Sequence, residues 1–219
     1  MSRLPVSSEL NKIAKAITRS KGRGILVGGA VRDHFIDRRI SKDLDVEVFG
    51  LSMEDLESVL KQFGNIHAVG KFFGVLKLKT TTAEYDFSLP RREQKTGKGH
   101  RGFKIITDPA MSFKEAASRR DFTVNSMGYD LLENTLLDPF EGIEDIKNKK
   151  LRHVGPAFAE DPLRVYRAIQ FSARLEFNIS AQTAKFCRKL ELSELPRERI
   201  FEEFRKLLLK AKKPSIGLK

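Results

Sequence analysis

The residues best suited to chemistry are two aspartates two positions apart, Asp43 and Asp45. In the segment that follows them, acidic and apolar residues alternate as far as Val48. This alternation is typical of a β-strand, in which side chains two residues apart point to the same face. Because neighbouring carboxylates repel each other, a divalent cation is the usual reason for holding them side by side. The pattern therefore predicts an Mg²⁺ site.

A glycine pair lies upstream of these acids. Gly28 and Gly29 follow an apolar run and precede a predicted short helix. At such a turn the backbone N–H groups can approach an anion closely, and Arg32, one helical turn later, can add donors to the same anion. Either motif alone is more often structural. Together, within one βαβ-sized unit, they predict a site for a triphosphate and Mg²⁺.

A third acid, Asp86, lies on a predicted strand farther along the chain. In Glu84–Ser88, Tyr85 and Phe87 face one side and Asp86 faces the other. We expect this strand and its predecessor, 75–79, to lie beside the first acidic strand. Asp86 would then be placed to take a proton from an attacking hydroxyl. The alternative is a surface aspartate opposite two buried aromatic residues.

A glycine-rich, basic segment follows over residues 90–104 and shows no periodicity. It predicts a mobile loop. We expect its cations to contact RNA or a triphosphate, and a solvated connector is the alternative. The cations expected to make these contacts are Arg91, Arg92, Lys95, Lys98 and Arg101.

Two adjacent arginines, Arg119 and Arg120, precede Asp121. Such a pair can neutralise a triphosphate while the aspartate fixes the direction of one guanidinium. Taken alone, this cluster would more often be a surface feature. Its position after the acidic strands favours a role in binding the triphosphate.

A second set of charged residues begins a predicted helical region at Phe158. Asp161, Arg164 and Arg167 are spaced to form one stripe of a helix. A carboxylate beside a guanidinium presents acceptors and donors in one plane, as a base edge does. The alternative is an intrahelical ion pair.

Four segments of the chain, in this order, resemble the signature of class II tRNA nucleotidyltransferases (CCA-adding enzymes) and bacterial poly(A) polymerases. The segments are Gly28–Asp33 with Asp43–Asp45, Arg119–Met127, Glu160–Arg164 and Arg197–Leu208. The resemblance implies an α+β fold. We expect a polymerase-β-like nucleotidyltransferase head, a mixed sheet flanked by helices, over residues 1–154. An all-helical neck domain would follow over residues 155–219.

The same resemblance implies template-independent addition of CMP, AMP or both to the 3′ end of tRNA. The 3′-hydroxyl would attack the α-phosphate of CTP or ATP at two Mg²⁺ ions held by Asp43 and Asp45, with Asp86 as the third catalytic acid. Asp161 and Arg164 would select the base, with Arg167 assisting. Related enzymes often carry an arginine where this chain has Gln170. The alternatives are a poly(A) polymerase, a partial CC- or A-adding enzyme, and a non-catalytic RNA-binding module.

The whole chain agrees with a polyanionic partner. It has 219 residues and a formal net charge of +12, which attracts nucleic acid over long distances. A single cysteine, Cys187, excludes an internal disulfide framework and a multi-cysteine metal site. Without a leader or an apolar run long enough to span a bilayer, we expect a cytoplasmic protein with no membrane partner.

Larger family members continue into body and tail helices, which this sequence lacks. Two explanations stay open. The chain is a fragment of a longer protein, or it is a compact form that relies on a homo-oligomer or a partner subunit.

Overall fold

The computed structural model describes residues 4–39, 43–68, 74–95 and 103–218. The α-helices, in chain order, are α1 Ser8–Arg19, α2 Gly29–Asp37, α3 Met53–Leu60, α4 Phe113–Ala117, α5 Gly142–Lys147, α6 Arg164–Leu175, α7 Ala181–Cys187 and α8 Arg197–Lys210. The strands are β1 Arg23–Val27, β2 Leu44–Phe49, β3 Asn65–Ala68, β4 Val75–Lys79, β5 Glu84–Ser88, β6 Arg91–Lys95, β7 Phe103–Thr107, β8 Gly128–Asp130, β9 Thr135–Leu137, β10 Lys150–Leu151 and β11 Asn178–Ile179.

The chain divides into two compact units. The first consists of Met1–Ala117 and Met127–Pro139, and the second of Ser118–Ser126 and Phe140–Lys219. The chain therefore passes into the second unit, back into the first, and into the second again. The domain boundary near residue 154 stays a prediction.

The first unit is built on a seven-stranded sheet with the order β3-β4-β5-β2-β1-β8-β9. Strands β2 and β5 run parallel, whereas the other neighbouring pairs are antiparallel. The predicted α+β fold with a mixed sheet flanked by helices is confirmed. So is the expectation that β4 and β5 lie beside the acidic strand, with β5 adjacent to it.

Helix α1 packs against β1 with its apolar stripe. The Ser7 side chain caps the helix by accepting a hydrogen bond of 3.1 Å from the backbone N–H of Leu10. Leu10, Ile13 and Ile17 recur at helical spacing and are almost completely buried. Residues of β1 from Gly24 onward form a continuous buried run, because this helix covers one face of the strand and an apolar cluster covers the other.

The other face of the sheet carries both a small core and the acids. Ile25 and Val27 of β1 form a buried cluster with Phe49, Met111 and Ala116. Val27 lies directly opposite Asp45 in the β1–β2 ladder. Paired residues of neighbouring strands point to the same face. This cluster therefore anchors the strands on the face where Asp45 projects.

The core of the second unit is an aromatic cluster around Phe122. Its ring lies 5.6 Å from that of Phe158 and 5.9 Å from that of Phe171, both edge-on. Helices α6 and α8 pack against each other in the same unit. A short parallel pair, β10 with β11, also belongs to it and was not indicated by the sequence pattern. Because Phe122 follows Asp121 directly, burying this ring fixes the backbone of the Arg119–Asp121 segment.

The prediction of a loop without secondary structure over residues 90–104 is wrong for the parts described. Arg91–Lys95 and Phe103–Thr107 pair as antiparallel strands. The first of these strands consists of polar residues and therefore shows no alternation of apolar and polar residues. A β-ladder forms through backbone hydrogen bonds and does not require an apolar face. Arg91 and Arg92 therefore lie on a strand, as does Lys95, whereas Lys98 and Arg101 lie outside the described residues.

Candidate functional site

The structure brings Asp45 and Asp86 together. In the parallel β2–β5 ladder the two residues are direct partners, so their side chains project from the same face of the sheet. Neighbouring strands lie about 4.8 Å apart, which is within reach of two carboxylates sharing a ligand. The Asp86 side chain is 36% exposed, and Asp45 is exposed as well. This pairing results from the register and could not be derived from either strand alone.

Asp43 immediately precedes Leu44, the first residue of β2. Across the described residues, no group of three or more histidine, cysteine or acidic side chains stands close enough to hold a metal ion. The structure therefore pairs Asp45 with Asp86 but does not assemble the expected cluster of three acids. Two exposed carboxylates nevertheless suit Mg²⁺, which commonly takes one or two protein carboxylates and completes its shell with water and phosphate oxygens.

Lys77, which belongs to none of the sequence motifs, lies beside these acids. Lys77 of β4 is the direct partner of Asp86. Its Nζ lies 3.3 Å from Asp86 Oδ1. The clean alternation of 75–79, facing that of Glu84–Ser88 across a threonine-rich turn, was the signal that could have predicted this pair.

The glycine turn begins one residue after the strand position that faces Asp45. Val27 is the partner of Asp45, and Gly28 follows it with φ +72° and ψ −135°. Side chains with a Cβ rarely adopt this conformation. Helix α2 begins at Gly29, so its first N–H groups open beside the acidic strand. The turn can receive an anion there.

Arg32 curls back toward this turn and does not project into solvent. It is only 3% exposed, and both its Nε and its Nη2 lie 2.7 Å from Asp33 Oδ1. A Cβ built on Gly29 would lie 3.6 Å from the same Nη2. A positive charge is thus held against the start of α2. The predicted contact between Arg32 and an anion stays a prediction.

The Arg119–Asp121 segment belongs to the second unit, where Asp121 is buried. Its Oδ1 accepts hydrogen bonds of 2.8 Å from the Phe122 backbone N–H and 2.9 Å from Asn125 Nδ2. Its Oδ2 accepts 2.8 Å and 2.6 Å bonds from Nε and Nη2 of Arg167. Burial by itself would raise the pKa of Asp121, but Arg167 and these hydrogen bonds lower it overall.

This geometry corrects the predicted role of Asp121. The guanidinium that Asp121 directs is that of Arg167 in α6 and not that of the adjacent arginines. Arg120 Nη1 instead donates to the backbone oxygen of Asn125 at 3.3 Å. Burial by itself would lower the pKa of Arg167, but the charge and hydrogen bonds of Asp121, together with the charges of Glu203 and Asp161, raise it overall. Arg167 therefore ties α6 to the Arg-Arg-Asp segment.

The prediction that Asp161, Arg164 and Arg167 form one helical stripe is wrong for Asp161. Helix α6 begins at Arg164, and Asp161 lies before it in an extended conformation with φ −126° and ψ 98°. The cause is Pro162, because a residue that precedes proline is sterically excluded from the helical region. The Asp161 Oδ1 instead accepts a hydrogen bond of 3.1 Å from the Leu163 backbone N–H.

The two predicted base-reading residues are each fixed by other partners. The Asp161 Oδ2 forms an ion pair of 2.9 Å with Arg199 Nη2 from α8. Arg164 donates from Nη1 to the Ala157 carbonyl at 2.7 Å and from Nη2 to the Arg119 carbonyl at 2.6 Å. These bonds set the plane of the guanidinium, and no intrahelical Asp161–Arg164 pair is needed to orient it.

Helix α8 therefore does more than pack. Besides Arg199, it contributes Glu203, which is buried and lies 2.8 Å from Lys206 Nζ and 3.9 Å from Arg167 Nη1. The Gln170 Nε2 donates to Glu203 Oε2 at 3.4 Å, so Gln170 faces an acid. No spacing rule in the sequence predicts these contacts, because they join residues far apart in the chain.

Comparison with known proteins finds relatives along most of the chain. Residues 25–152 match the family model described as the poly A polymerase head domain. Residues 176–219 match a second model, described as a probable RNA and SrmB-binding site of polymerase A. The curated "Multifunctional CCA protein" of Stenotrophomonas maltophilia (strain R551-3) is 42% identical over 201 residues, which cover 89% of this chain and 47% of that protein.

Solved structures agree with these relatives. The Bacillus stearothermophilus CCA-adding enzyme in complex with CTP is 29% identical, with a TM-score of 0.77 over 91% of this chain and 48% of that one. A tRNA nucleotidyltransferase complexed with a primer tRNA and an incoming ATP analog is 31% identical, with a TM-score of 0.77 over 94% and 58%. The chain spans about half the length of the curated relatives it matches. Across the described residues, no helix is long and apolar enough to cross a membrane.

Proposed function

Because the chain belongs to the poly A polymerase head-domain family, we propose that it transfers CMP, AMP or both to the 3′ end of tRNA. The pairing of Asp45 with Asp86, with the Gly28 turn beginning beside Asp45, is the observation that carries the proposal. It combines ligands for a divalent cation with N–H groups for a phosphate in one unit. The names of the CCA-adding relatives support tRNA as the acceptor and CTP and ATP as donors.

In the proposed reaction the RNA 3′-hydroxyl attacks the α-phosphate and pyrophosphate leaves. Asp43 and Asp45 would hold Mg²⁺, with Asp86 as a further carboxylate ligand beside Asp45, and the ion would supply Lewis-acid stabilisation to the oxygens that gain negative charge. Asp86 orients the hydroxyl and accepts its proton. The N–H groups that begin α2 hold phosphate oxygens, and the buried Arg32 strengthens the positive field of the turn.

The second unit supplies the remaining roles in this proposal. Arg119 and Arg120 neutralise the triphosphate. Asp161 and Arg164 pair with the base edge and distinguish cytosine from adenine without a template. The carbonyl bonds of Arg164 and the Arg199 pair of Asp161 support this assignment, because they orient both groups before the nucleotide arrives. Arg167 acts through Asp121 as a positioning residue.

A poly(A) polymerase is the second candidate, favoured by the description of the family model that matches residues 25–152. It would use ATP alone and extend unrelated RNA. We further propose the cytoplasm as the location. The related tRNA nucleotidyltransferase is named for tRNA, and tRNA is present in the cytoplasm. The same proposal includes a homo-oligomer or a partner subunit that completes the RNA-binding surface.

Nucleotide incorporation by the purified chain tests the proposal. We expect addition of C, A or CCA to tRNA that ends at the discriminator base, with each nucleotide supplied alone and mixed in the presence of Mg²⁺. Asp45→Asn should reduce the rate on the order of 10²–10³-fold, as when one group that stabilises transition-state charge is removed.

Glu54→Gln is the matched control. Glu54 is an exposed acid of α3 in the same unit, so its loss should leave the rate unchanged. If wild type adds no nucleotide to tRNA, or if Asp45→Asn matches wild type, tRNA nucleotidyl transfer at this site is wrong. Long A-tails on unrelated RNA without use of CTP would establish the poly(A) alternative.

A further inference from the structure

Three charged side chains lie abreast across neighbouring strands. Lys77, Asp86 and Asp45 are direct partners across β4, β5 and β2, so they share one face of the sheet. Lys77 Nζ lies 3.3 Å from Asp86 Oδ1. An ammonium thus contacts one carboxylate of the proposed cation-binding pair, and the next strand carries the other.

This ion pair contributes little to stability. The Lys77 side chain is 46% exposed and that of Asp86 36%. Water and salt screen exposed pairs of this kind. The position of Lys77 is better explained by its effect on what the two acids bind.

We propose that Lys77 is a positioning residue that competes with divalent cations for Asp86. Its ammonium holds the Asp86 carboxylate on the β4 side while no cation is bound, and its charge weakens cation binding at the Asp45–Asp86 pair. Lys77 thereby raises the concentration of divalent cation at which the site fills. This inference rests on the proposed function only in naming the cation site, and it concerns binding to the free protein.

Mn²⁺ binding to the free protein tests the inference, followed by electron paramagnetic resonance without nucleotide or RNA. Lys77→Met should bind Mn²⁺ on the order of three- to tenfold more tightly than wild type, the effect expected from removing one positive charge a few ångströms from a dication. Lys77→Arg keeps the charge and should bind within about twofold of wild type. Asp45→Asn should lose this binding, which identifies the site measured.

Lys61→Met is the matched control. Lys61 forms an exposed pair of 2.8 Å with Glu57 on α3, in the same unit, so this variant removes the same charge elsewhere. It should leave Mn²⁺ affinity unchanged. Melting temperatures of both methionine variants should stay within about 2 °C of wild type, which separates competition for the cation from loss of structure.

Equal or weaker Mn²⁺ affinity in Lys77→Met, or no detectable binding in either protein, would overturn the inference. Tighter binding in both Lys77→Met and Lys61→Met would also overturn it, since a general charge effect would then suffice. Failure of the proposed function is distinguished by the incorporation assay. Wild type inactive on tRNA, with Mn²⁺ affinity still increased by Lys77→Met, would reject nucleotidyl transfer and retain the competition.

Discussion

The Asp121–Arg167 pair shows that a buried charged side chain in this protein is held in one orientation by its hydrogen bonds. Asp121 is 6% exposed, and all four hydrogen bonds to its carboxylate come from neighbouring groups of the same unit. Removing one partner of such a pair leaves an uncompensated buried charge, which costs far more than the pair itself contributes. The orientation of the Arg-Arg-Asp segment therefore depends on one residue of α6.

Asp121→Asn is expected to lower the free energy of unfolding by about 3–5 kcal/mol, because Arg167, whose side chain is only 31% exposed, loses its nearest countercharge. Urea denaturation measures this difference. The double variant Asp121→Asn with Arg167→Met should regain part of the loss, since no buried charge is then left unpaired.

Glu202→Gln provides the matched control at an exposed pair. Glu202 lies 2.7 Å from Arg205 Nη2, and both side chains are about half exposed. Its loss should change stability by less than about 0.5 kcal/mol. An Asp121→Asn protein within 1 kcal/mol of wild type would mean that the buried pair does not have the assigned structural role.

Among the secondary-structure elements, the residue at which a helix begins decides which groups the neighbouring motif exposes. Helix α6 begins three residues after Asp161 because of Pro162, so Asp161 faces Arg199 and not its expected helical neighbours. Helix α2 begins directly after Gly28. The positive φ of Gly28 directs the first helical N–H groups toward the end of β1 that lies beside Asp45. Both boundaries depend on one residue with restricted or unusual backbone geometry.

Gly28→Ala is expected to lower the free energy of unfolding by about 1–3 kcal/mol, because alanine is strained at φ +72° and ψ −135°. It should also weaken CTP binding measured by calorimetry, since relaxing the strain moves the N–H groups of the turn. Gly155→Ala is the control. Gly155 has an extended φ of 179°, and an added Cβ there meets no atom within 4 Å.

The control should match wild type in CTP affinity and change stability by less than about 0.5 kcal/mol. Equal CTP affinity in Gly28→Ala and wild type would show that the turn does not bind the triphosphate. A stability change no larger than that of Gly155→Ala would show that the backbone at residue 28 tolerates a side chain.

At the scale of the whole molecule, several buried titratable groups favour neutral over acidic pH. Burial lowers the pKa of His34 and of His153 below the ordinary value of 6.5, with Arg38 and Arg152 adding to the respective shifts. Both imidazoles are therefore neutral in the folded protein at neutral pH. Asp121, with its lowered pKa, acts in the same direction, because its stabilisation is lost as pH falls through the pKa of the folded state.

The free energy of unfolding should decrease as pH falls below 6.5, since the unfolded chain then takes up protons on these histidines before the folded protein does. His34→Leu should make this decrease smaller. His34 is 4% exposed, and neither ring nitrogen has a hydrogen-bond partner among the residues that the structure describes. An apolar side chain therefore removes a group whose protonation opposes folding. Urea denaturation at several pH values between 7.5 and 5 measures the slope.

His67→Leu is the control, because His67 lies exposed on β3 and no buried imidazole is lost. Its slope should equal that of wild type. A His34→Leu protein with the wild-type slope would show that His34 does not oppose folding in acid.

Local sequence patterns predicted the direction of side chains within several elements. Alternation in 75–79 and in Glu84–Ser88 correctly predicted strands and the face that carries Asp86. These features depend on backbone periodicity, which any short window of sequence displays. The resemblance of the ordered motifs predicted the family and the mixed sheet.

The contacts between charged side chains depend on how distant segments of the chain pack together. The register of β2 with β5 placed Asp45 beside Asp86, and the β4 ladder added Lys77. Packing of α8 against α6 gave Asp161 the partner Arg199. Such contacts join residues far apart in the chain, and their geometry is set by strand register and helix packing, which no local spacing rule contains.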